Sequence, residues 1–481
     1  MKARERRLPT IPESIIALML VVGVIITGIR LGIGGPGAPS AISSLFLGMI
    51  VAGAIALYLG NSWADIQKEM IRVVSDSLIA VIILLIIGSL IGVWMIGGTV
   101  PSLIYYGLMF CTPDIMLPLT FVLCALASLA TGTSFGTMAT MGLALVGVGI
   151  GLGMPAHVVA GAAVSGAYFG DKMSPVSDTT LMASAMTKVP LYDHIFSMFY
   201  TTIPATILCI TIYYFIGLRY AGGVIDDGSI LVITDGLNNL FFITPIALIP
   251  ALMVLLVSAF KIPALPGLSV CWIVSVLLTM YLQGATFVQT MNASFHGFRP
   301  DTGVALIDTL LRRGGMVMMQ NTIFLIILAC AMGGALSQSG VFSVFVQGLF
   351  KIIKRPQELV VGTMVYCYAI LLMSGNQVLG IILGGPTFQD AYKEMDLNPK
   401  VLSRTLEATC TIGAPLVPWS TATLFATSVM GVTTAYIPYA LLGFIVPIFA
   451  LICTYTGFGM FRADGTPMWG KKHGPKNQPA A

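Results

Sequence analysis

Long apolar runs separated by short polar segments follow one another along almost the whole chain. A helix that crosses a bilayer needs about 20 predominantly apolar residues. Runs near that length predict crossings at 12–29, 40–59, 78–96, 193–218, 238–258, 263–282, 316–337 and 435–455. Two more segments contain a polar interruption and predict broken helices, at 155–188 and 400–432. The pattern predicts an all-α polytopic membrane protein with about ten transmembrane helices.

Two further segments, 113–153 and 356–398, each hold two apolar arms joined by a polar centre. The arms allow either two crossings or a re-entrant hairpin in each segment. The polar centres at 131–134 and 374–377 favour the hairpin, because irregular backbone at membrane depth must be buried or line a cavity.

Four stretches are not predicted to cross. A charged amphipathic stretch, 61–76, separates the second and third crossings. The short run 99–111 and its second-half counterpart 341–355 are expected to lie along the interface. Segment 283–313 is interpreted as a polar connection, because it carries several charged residues.

Three charged residues interrupt the first broken helix within the stretch Gly170–Thr180. Insertion scales put each charge at about 2.5–3.5 kcal/mol at a bilayer centre, which suggests that these residues have a function. Pro175 removes a backbone donor and clashes with the preceding turn, so a helix break is predicted here. The alternative is a polar loop between two ordinary helices.

The same features recur at a constant offset of 243 residues, the separation of Gly170 from Gly413. Without a gap, that offset pairs Pro175 with Pro418, Ser177 with Ser420, Thr180 with Thr423 and Gly132 with Gly375. Internal repeats are typical of secondary transporters. We interpret 11–218 and 238–456 as two repeats, and an odd number of crossings in each predicts that they are inverted.

Charge predicts an orientation. The predicted inner segments carry most of the lysines and arginines, including Arg4, Arg6 and the basic tail, whereas the outer loop 219–236 has one arginine against three aspartates. The positive-inside rule then places both termini in the cytoplasm and the chain in the cytoplasmic membrane. Segment 283–313, with three arginines on the predicted outer side, is an exception.

Composition agrees with a membrane protein, since 57% of residues are hydrophobic and only 9% are charged. The net charge of +4 gives no indication of nucleic-acid binding. The eight cysteines show no C-x-x-C spacing, so neither a disulfide framework nor a zinc site is predicted. The HExxH, Walker A and GxSxG motifs are absent from the sequence, so we expect no enzyme activity and no cofactor besides a transported Na⁺.

Asp171 and Asp178 are the main candidates for ion binding, since both could turn toward a cavity across the helix break. A carboxylate there can hold Na⁺, a proton, or each in turn. Na⁺ is a hard cation that needs several oxygens, which we expect from hydroxyl and amide side chains at the two breaks and the two polar centres. These candidates are Ser174, Ser177, Thr179, Thr180, Thr131, Thr133, Ser134, Asn376, Gln377, Ser420 and Thr421. The alternative for each hydroxyl is a local hydrogen bond to its own helix.

Lys172 has two interpretations. It neutralises Asp171 as a structural charge partner, which we favour, or it serves as counter-ion for a carboxylate substrate. Because Asp178 has no adjacent cation, we expect its replacement by Asn to abolish Na⁺ binding and that of Asp171 to be milder for Na⁺.

Glu407, within the second broken helix, is either a proton carrier, like Asp171 and Asp178, or the partner of Arg404 at the membrane edge. Both interpretations are kept. His194 is expected to lie at the interface without a role, although a pH-sensing role is the alternative.

The run SGAYFGDKMSP at Ser165–Pro175, with SDTT at Ser177–Thr180, closely resembles the NhaC-type Na⁺/H⁺ antiporter family. The resemblance spans most of the chain and implies inverted repeats, paired hairpins and a homodimer. Some members exchange Na⁺ for H⁺, whereas others move malate, lactate or amino acids with Na⁺ or H⁺. The family pattern has Asn after the two threonines where this chain has Leu181, which removes one polar ligand.

The leading hypothesis is a secondary transporter that exchanges Na⁺ for H⁺ by alternating access. The alternative is a Na⁺- or H⁺-coupled carrier or exchanger of a small carboxylate or amino acid, for which Lys172 is the best argument. An intramembrane aspartyl protease is disfavoured, because Ala414 and Thr421 stand at the repeat positions of Asp171 and Asp178. A passive channel is also disfavoured, since pore-lining rings are not evident.

Overall fold

The computed structural model describes residues 7–31, 40–110, 112–175, 177–221, 227–260, 262–302, 308, 311–312 and 314–468. Arg4, Arg6 and the tail lysines Lys471, Lys472 and Lys476, on which the predicted orientation partly depends, lie outside these residues. So do Asp226 of the predicted outer loop and Arg313 of the polar connection.

In the described part, the regular elements are helices, with isolated β-bridges only near the C-terminal end. In chain order they are α1 Ile11–Arg30, α2 Ser40–Tyr58, α3 Trp63–Ile96, α4 Thr99–Phe110, α5 Pro113–Thr131, α6 Ser134–Gly151, α7 Ala156–Met173, α8 Asp178–Thr187, α9 Leu191–Ala221, α10 Asp227–Leu240, α11 Ile249–Ala259, α12 Ala264–Gln283, α13 Phe287–His296, α14 Gln320–Gln338, α15 Val341–Ile352, α16 Pro356–Ser374, α17 Gln377–Glu394, α18 Pro399–Leu406, α19 Thr421–Met430 and α20 Leu441–Thr456. Helix α6 contains a π-helical turn at Met138–Gly142, and a second one, Glu407–Thr411, follows α18.

Among the described residues, 6 helices are long and apolar enough to cross a membrane, or up to 8 if each bent pair counts as one span. Shorter apolar helices, such as Ile42–Tyr58 and Leu441–Thr456, accompany them. The chain is therefore an all-α polytopic membrane protein, as predicted. The total of about ten crossings stays a prediction.

Glycines end the first arm of each two-armed segment. Gly132 after α5 and Gly375 after α16 adopt φ of 69° and 63°, a left-handed conformation that favours glycine because it has no Cβ. The next residues, Thr133 and Asn376, cap the following helices by accepting hydrogen bonds from backbone N–H groups. We call residues 131–134 the first tip and residues 374–377 the second tip.

Two predicted boundaries were wrong. The charged stretch 61–76 is not separate from the third crossing, because Ser62 caps a single helix that continues from Trp63 to Ile96 without an internal proline. The predicted crossing 238–258 is bent by 92° between Leu240 and Pro245, where proline begins a new helical turn that Thr244 caps.

The polar connection 283–313 also holds a helix that the sequence analysis missed. A capping box between Thr286 and Gln289 starts α13, which ends at His296. The serine and threonine N-cap signal was present in the sequence, but the surrounding charges favoured a loop.

The local structure repeats at the offset found in the sequence. Helices α5 and α16 begin at Pro113 and Pro356, which are 243 residues apart. Helix α8 spans Asp178–Thr187 and α19 spans Thr421–Met430, again 243 residues apart at both ends. The equivalent segments therefore fold alike, and their inverted orientation in the membrane stays a prediction.

Close glycine contacts hold the first broken helix against α5. A Cβ atom on Gly166 would lie 2.2 Å from the carbonyl oxygen of Phe121, and one on Gly170 would lie 2.3 Å from that of Ala125. Small residues allow such helix approach within membranes. The approach places the residues that follow Gly170 beside the first tip.

The two halves also pack across each other. Phe135, next to the first tip, stacks on Phe425 of α19 with ring centroids 4.4 Å apart. A Cβ on Gly385 of α17 would lie 2.7 Å from the Cβ of Met186 in α8. Each two-armed segment thus contacts the broken helix of the other half.

Candidate functional site

The first helix break lies between Met173, where α7 ends, and Asp178, where α8 begins. Polar side chains satisfy the backbone carbonyls around it: Ser174 Oγ donates to the Leu129 carbonyl at 2.8 Å, and Thr180 Oγ1 donates to the Lys172 carbonyl at 2.9 Å. These bonds hold the break in one arrangement against α5, since buried backbone acceptors require partners.

Asp171 joins the break to the first tip. Its carboxylate is 5% exposed and accepts two hydrogen bonds of 2.6 Å, from Ser134 Oγ on one oxygen and Ser177 Oγ on the other. Ser177 Oγ lies 3.1 Å from Thr179 Oγ1, which extends the network. In the described part of the chain, no Lys, Arg or His nitrogen forms an ion pair with this carboxylate. A buried carboxylate without a cationic partner is costly unless it binds a cation or a proton.

Lys172 is fully buried, and its Nζ has no hydrogen-bond partner among the described residues. The carboxylate that acts on it electrostatically is that of Glu407 rather than that of Asp171. The predicted Lys172–Asp171 pair was therefore wrong. Consecutive helical residues point about 100° apart, so Lys172 and Asp171 face different neighbours.

Glu407 lies in the π-helical turn after α18 and is also fully buried, and neither carboxylate oxygen has a hydrogen-bond partner among the described residues. The groups that act on it include Lys172, Thr411 and Thr179. Its predicted partner Arg404 instead donates from its guanidinium to the carbonyls of two other residues, at 3.2 and 2.9 Å. The predicted Glu407–Arg404 pair was wrong, and the proton-carrier interpretation stays a prediction.

Those two carbonyls belong to Ser197 of α9 and Gly459 after α20. Arg404 is 2% exposed and therefore ties the start of the second broken helix to α9 and to the C-terminal segment. Sequence reasoning placed Arg404 at the membrane edge, because it could not show which carbonyls would surround it.

His194 is buried rather than interfacial. Its Nδ1 lies 2.8 Å from Ser403 Oγ, and its Nε2 has no partner in the described structure. Lys172 acts on this ring electrostatically, so His194 lies near the buried lysine. The expected interfacial position was wrong, because α9 packs here against α18.

We call Ser134, Asp171, Lys172, Ser177, Thr179 and Glu407 the central site. Further side chains of the tips, the broken helices or their neighbours have a buried polar atom without a partner in the described structure: Thr131, Thr137, Tyr168, His194 at Nε2, Gln377 at Oε1 and Thr411. Each unsatisfied buried group costs about 1–3 kcal/mol. Such atoms beside the central site indicate a place for ions, water or a polar ligand.

Asp178 lies apart from the buried network. Its side chain is exposed and lines a cavity of about 460 Å³, together with Thr131 and Thr133 of the first tip. Of the two aspartates that were expected to turn toward a cavity, Asp178 lines this one, whereas Asp171 is buried in the network at the end of α7. The role of Asp178 as a Na⁺ ligand stays a prediction.

The second break uses its polar side chains locally. Ser420 Oγ donates to the Ala414 carbonyl at 2.5 Å, and Thr421 contacts the Gly375 carbonyl at the second tip through its backbone N–H at 2.9 Å. Asn376 Oδ1 accepts from the backbone N–H of Val378. These contacts hold the second tip against the second break, in the same way as the first tip contacts the first break.

The structure divides the predicted oxygen ligands into three groups. Ser134 and Ser177 donate to Asp171, and Thr179 contacts Ser177. Several others are used in bonds to the backbone: Thr133, Ser174, Thr180, Asn376, Ser420 and Thr421. Thr131 Oγ1 and Gln377 Oε1 have no partner among the described residues. Asp171 with three hydroxyls is a set that can hold a hard cation, because a hydroxyl that donates its proton keeps lone pairs for the ion.

Sequence reasoning missed the approach of Lys172 to Glu407 and the burial of His194. Charged residues inside apolar runs of different halves were a visible signal for the first. The sequence did not show which charge meets which, since the two residues are separated by 235 positions.

Comparisons with known proteins bear on this geometry. A family model described as the Na⁺/H⁺ antiporter family matches residues 166–458. The chain is 34% identical to the Malate-2H(+)/Na(+)-lactate antiporter of Bacillus subtilis (strain 168) over 456 residues, which cover 94% of this chain and 96% of that protein.

Two further relatives have different names. The Na(+)/H(+) antiporter NhaC of Alkalihalophilus pseudofirmus is 32% identical over 453 residues, 94% of this chain and 96% of that protein. The arginine/ornithine antiporter ArcD of Halobacterium salinarum is 33% identical over 461 residues, 94% of this chain and 92% of that protein. Relatives of similar identity thus carry different substrate names.

Proposed function

The chain belongs to the Na⁺/H⁺ antiporter family, and on that premise we propose that it is a secondary active transporter that exchanges Na⁺ for H⁺ by alternating access. The observation that carries the proposal is the Asp171 carboxylate, which is buried, bound by two hydroxyls and free of ion pairs in the described structure. A carrier of this kind moves ions without making or breaking covalent bonds, so we expect no enzyme activity and no cofactor.

Na⁺ and a proton compete for Asp171 in this mechanism. An ionised carboxylate in a buried position is stabilised by a bound Na⁺, with oxygens from Ser134, Ser177 and Thr179 completing the coordination. Protonation removes the charge that holds Na⁺ and stabilises the buried carboxyl by itself. One site can therefore release one ion when it takes up the other.

Glu407 is the proposed second proton carrier. It is buried and interacts electrostatically with Lys172, and Thr179, which contacts Ser177 of the Asp171 network, also acts on it. A change of charge at Glu407 alters the stabilisation of the Lys172 ammonium, and a change at Asp171 reaches Glu407 through their mutual repulsion. We propose that this contact links proton uptake to Na⁺ release.

Alternating access requires a site that opens to either side in turn. Each break contacts the tip of its own half, and an inverted arrangement of 11–218 and 238–456 would relate the two openings by symmetry. We further propose a homodimer in the cytoplasmic membrane with both termini in the cytoplasm, as the family resemblance and the charge distribution predict.

A second candidate is a Na⁺- or H⁺-coupled exchanger of a small carboxylate or amino acid. The names of the Bacillus and Halobacterium relatives support it. Lys172 would be the counter-ion of the substrate carboxylate. Against this, Glu407 already lies beside Lys172, and Lys172 does not line the cavity at the first tip.

Flux measurements test the proposal. Purified protein in liposomes with an internal pH-sensitive dye should move protons when a Na⁺ gradient is imposed, and Asp171→Asn should abolish this flux. Asp114→Asn is the matched control, since Asp114 also lies on a helix of the first half but at the opposite end of α5 from the tip. Proton flux driven by malate, lactate or an amino acid but not by Na⁺ would overturn Na⁺/H⁺ exchange in favour of the second candidate.

A further inference from the structure

The cavity beside the first tip is larger than a Na⁺ site requires. It measures about 460 Å³ and lies between α3, the first tip, the start of α8, α11, α12 and α19. Cavities of about 300–1,000 Å³ are typical of small-molecule sites. Most of its wall is aliphatic, from residues such as Ile87, Leu90 and Val254. An apolar wall does not help to bind a bare metal ion, so the cavity suits a ligand with an organic body.

Asp178 is the one ionisable side chain among the described residues that line this cavity. It is exposed, and in the described structure its carboxylate takes part in no hydrogen bond or ion pair with another side chain. A negative charge in a mostly apolar wall attracts a cation and repels a carboxylate, because the surrounding low-dielectric groups screen it weakly.

Aromatic side chains are a second feature of the cavity that favours a cationic ligand. Trp94, Phe135 and Phe425 belong to the wall of the cavity. Phe135 is partly exposed and is held in place by stacking on Phe425, and Trp94 donates its Nε1–H to Ser275 Oγ at 3.0 Å. Aromatic faces together with a carboxylate form the kind of environment in which proteins bind organic ammonium groups.

We propose that this cavity binds a small organic ammonium cation, with Asp178 as its counter-ion and Phe135 as the aromatic contact. The ligand class differs from Na⁺ and from malate- or lactate-like carboxylates, and among the substrates of the second candidate function only an amino acid would share the ammonium group. Binding here does not require the exchange proposed for Asp171, so the two proposals can fail separately.

Choline is the probe. Calorimetry on the purified full-length protein, in a buffer without Na⁺, should detect choline binding, whereas its neutral isostere 3,3-dimethyl-1-butanol should bind at least about tenfold more weakly, since the isostere fills the same space without the charge. Malate should not bind in the cavity. This comparison uses the unmodified protein and therefore does not depend on whether a variant folds.

Variants locate the site. Asp178→Asn should weaken choline binding by about tenfold or more, Phe135→Leu by a few-fold through loss of the aromatic face, and Asp114→Asn not at all. Equal binding of choline and its isostere, or unchanged affinity in Asp178→Asn, would overturn the proposal. Malate binding that strengthens in Asp178→Asn would overturn it as well and would assign the cavity to an anion.

The flux assay distinguishes the ammonium site from the proposed Na⁺/H⁺ exchange. Choline binding that depends on Asp178, together with an absence of Na⁺-driven proton flux, would leave the ammonium site standing and refute Na⁺/H⁺ exchange. Na⁺-driven proton flux without choline binding would support Na⁺/H⁺ exchange and refute the ammonium site.

Discussion

Neutralising Glu407 should leave Lys172 as an uncompensated buried charge. Both side chains are fully buried, and neither has a hydrogen-bond partner in the described part of the chain. Removing one member of a buried pair typically costs about 3–5 kcal/mol. We expect Glu407→Gln to lower the free energy of unfolding by about 3 kcal/mol, near the lower end of that range. Lys172→Met should have a similar effect, because it isolates the Glu407 carboxylate.

The separation of the two groups limits their mutual attraction. The ammonium and the carboxylate are not within the 4.0 Å of an ion pair. At 4 Å and an effective dielectric constant of about 20, two unit charges attract by about 4 kcal/mol, which is therefore an upper limit. We expect a coupling free energy of about 1–3 kcal/mol, so that the double variant is less destabilised than the sum of the two single variants.

A double-mutant cycle measures this coupling. Unfolding in detergent would be followed for Glu407→Gln, Lys172→Met and the double variant at a fixed pH and ionic strength. The control cycle combines Glu407→Gln with Lys393→Met, because Lys393 is exposed and should be additive with Glu407 within about 0.5 kcal/mol. Additivity of the Lys172 and Glu407 changes would refute the pairing.

The same Glu407→Gln variant tests proton carriage. If Glu407 exchanges a proton during transport, the pH dependence of Na⁺-driven flux should flatten while Na⁺ binding remains measurable. An unchanged pH profile with reduced stability would leave Glu407 as a structural partner of Lys172 only.

Three further outcomes are expected. Gly170→Ala should prevent normal folding and reduce the yield of detergent-purified protein, because its Cβ would meet the backbone of α5, whereas Gly23→Ala, with no atom within 4 Å, should be neutral. Arg404→Gln should increase protease cleavage of the C-terminal segment after α20, because it loses the guanidinium hydrogen bond to the Gly459 carbonyl. Unchanged cleavage would contradict a role of Arg404 in holding that segment. In a cysteine-free background, Pro190→Cys and Thr433→Cys lie at equivalent exposed positions and should react with an impermeant thiol reagent from opposite sides of the membrane. Labelling of both from the same side would refute inverted repeats.

Much of the fold could be predicted from the sequence. The length of the apolar runs indicated a helical membrane protein, because backbone groups in a bilayer must be satisfied within each helix. Pro175 indicated the first break, and the 243-residue offset indicated the second, which has the same helix ends. The helices and the first break depend on nearby residues, and the second break follows from the repeat, so the sequence was sufficient to predict them.

The position of Asp171 could also be predicted in part. A carboxylate next to a proline break inside an apolar run has few stable environments, and the first tip supplies Ser134 to it as the polar centre suggested. The sequence did not separate Asp171 from Asp178, however. Only the path of the chain through the break put one in the buried network and the other on the cavity wall.

The charge partners were decided by tertiary structure alone. Lys172 is adjacent to Asp171 in the chain but meets Glu407, and Arg404 is close to Glu407 in the chain but bonds to α9 and the C-terminal segment. Side chains of neighbouring helical residues diverge by about 100°, so proximity in sequence does not determine which charges meet. Their partners are set by which helices pack together, and that packing depends on contacts between residues more than two hundred positions apart.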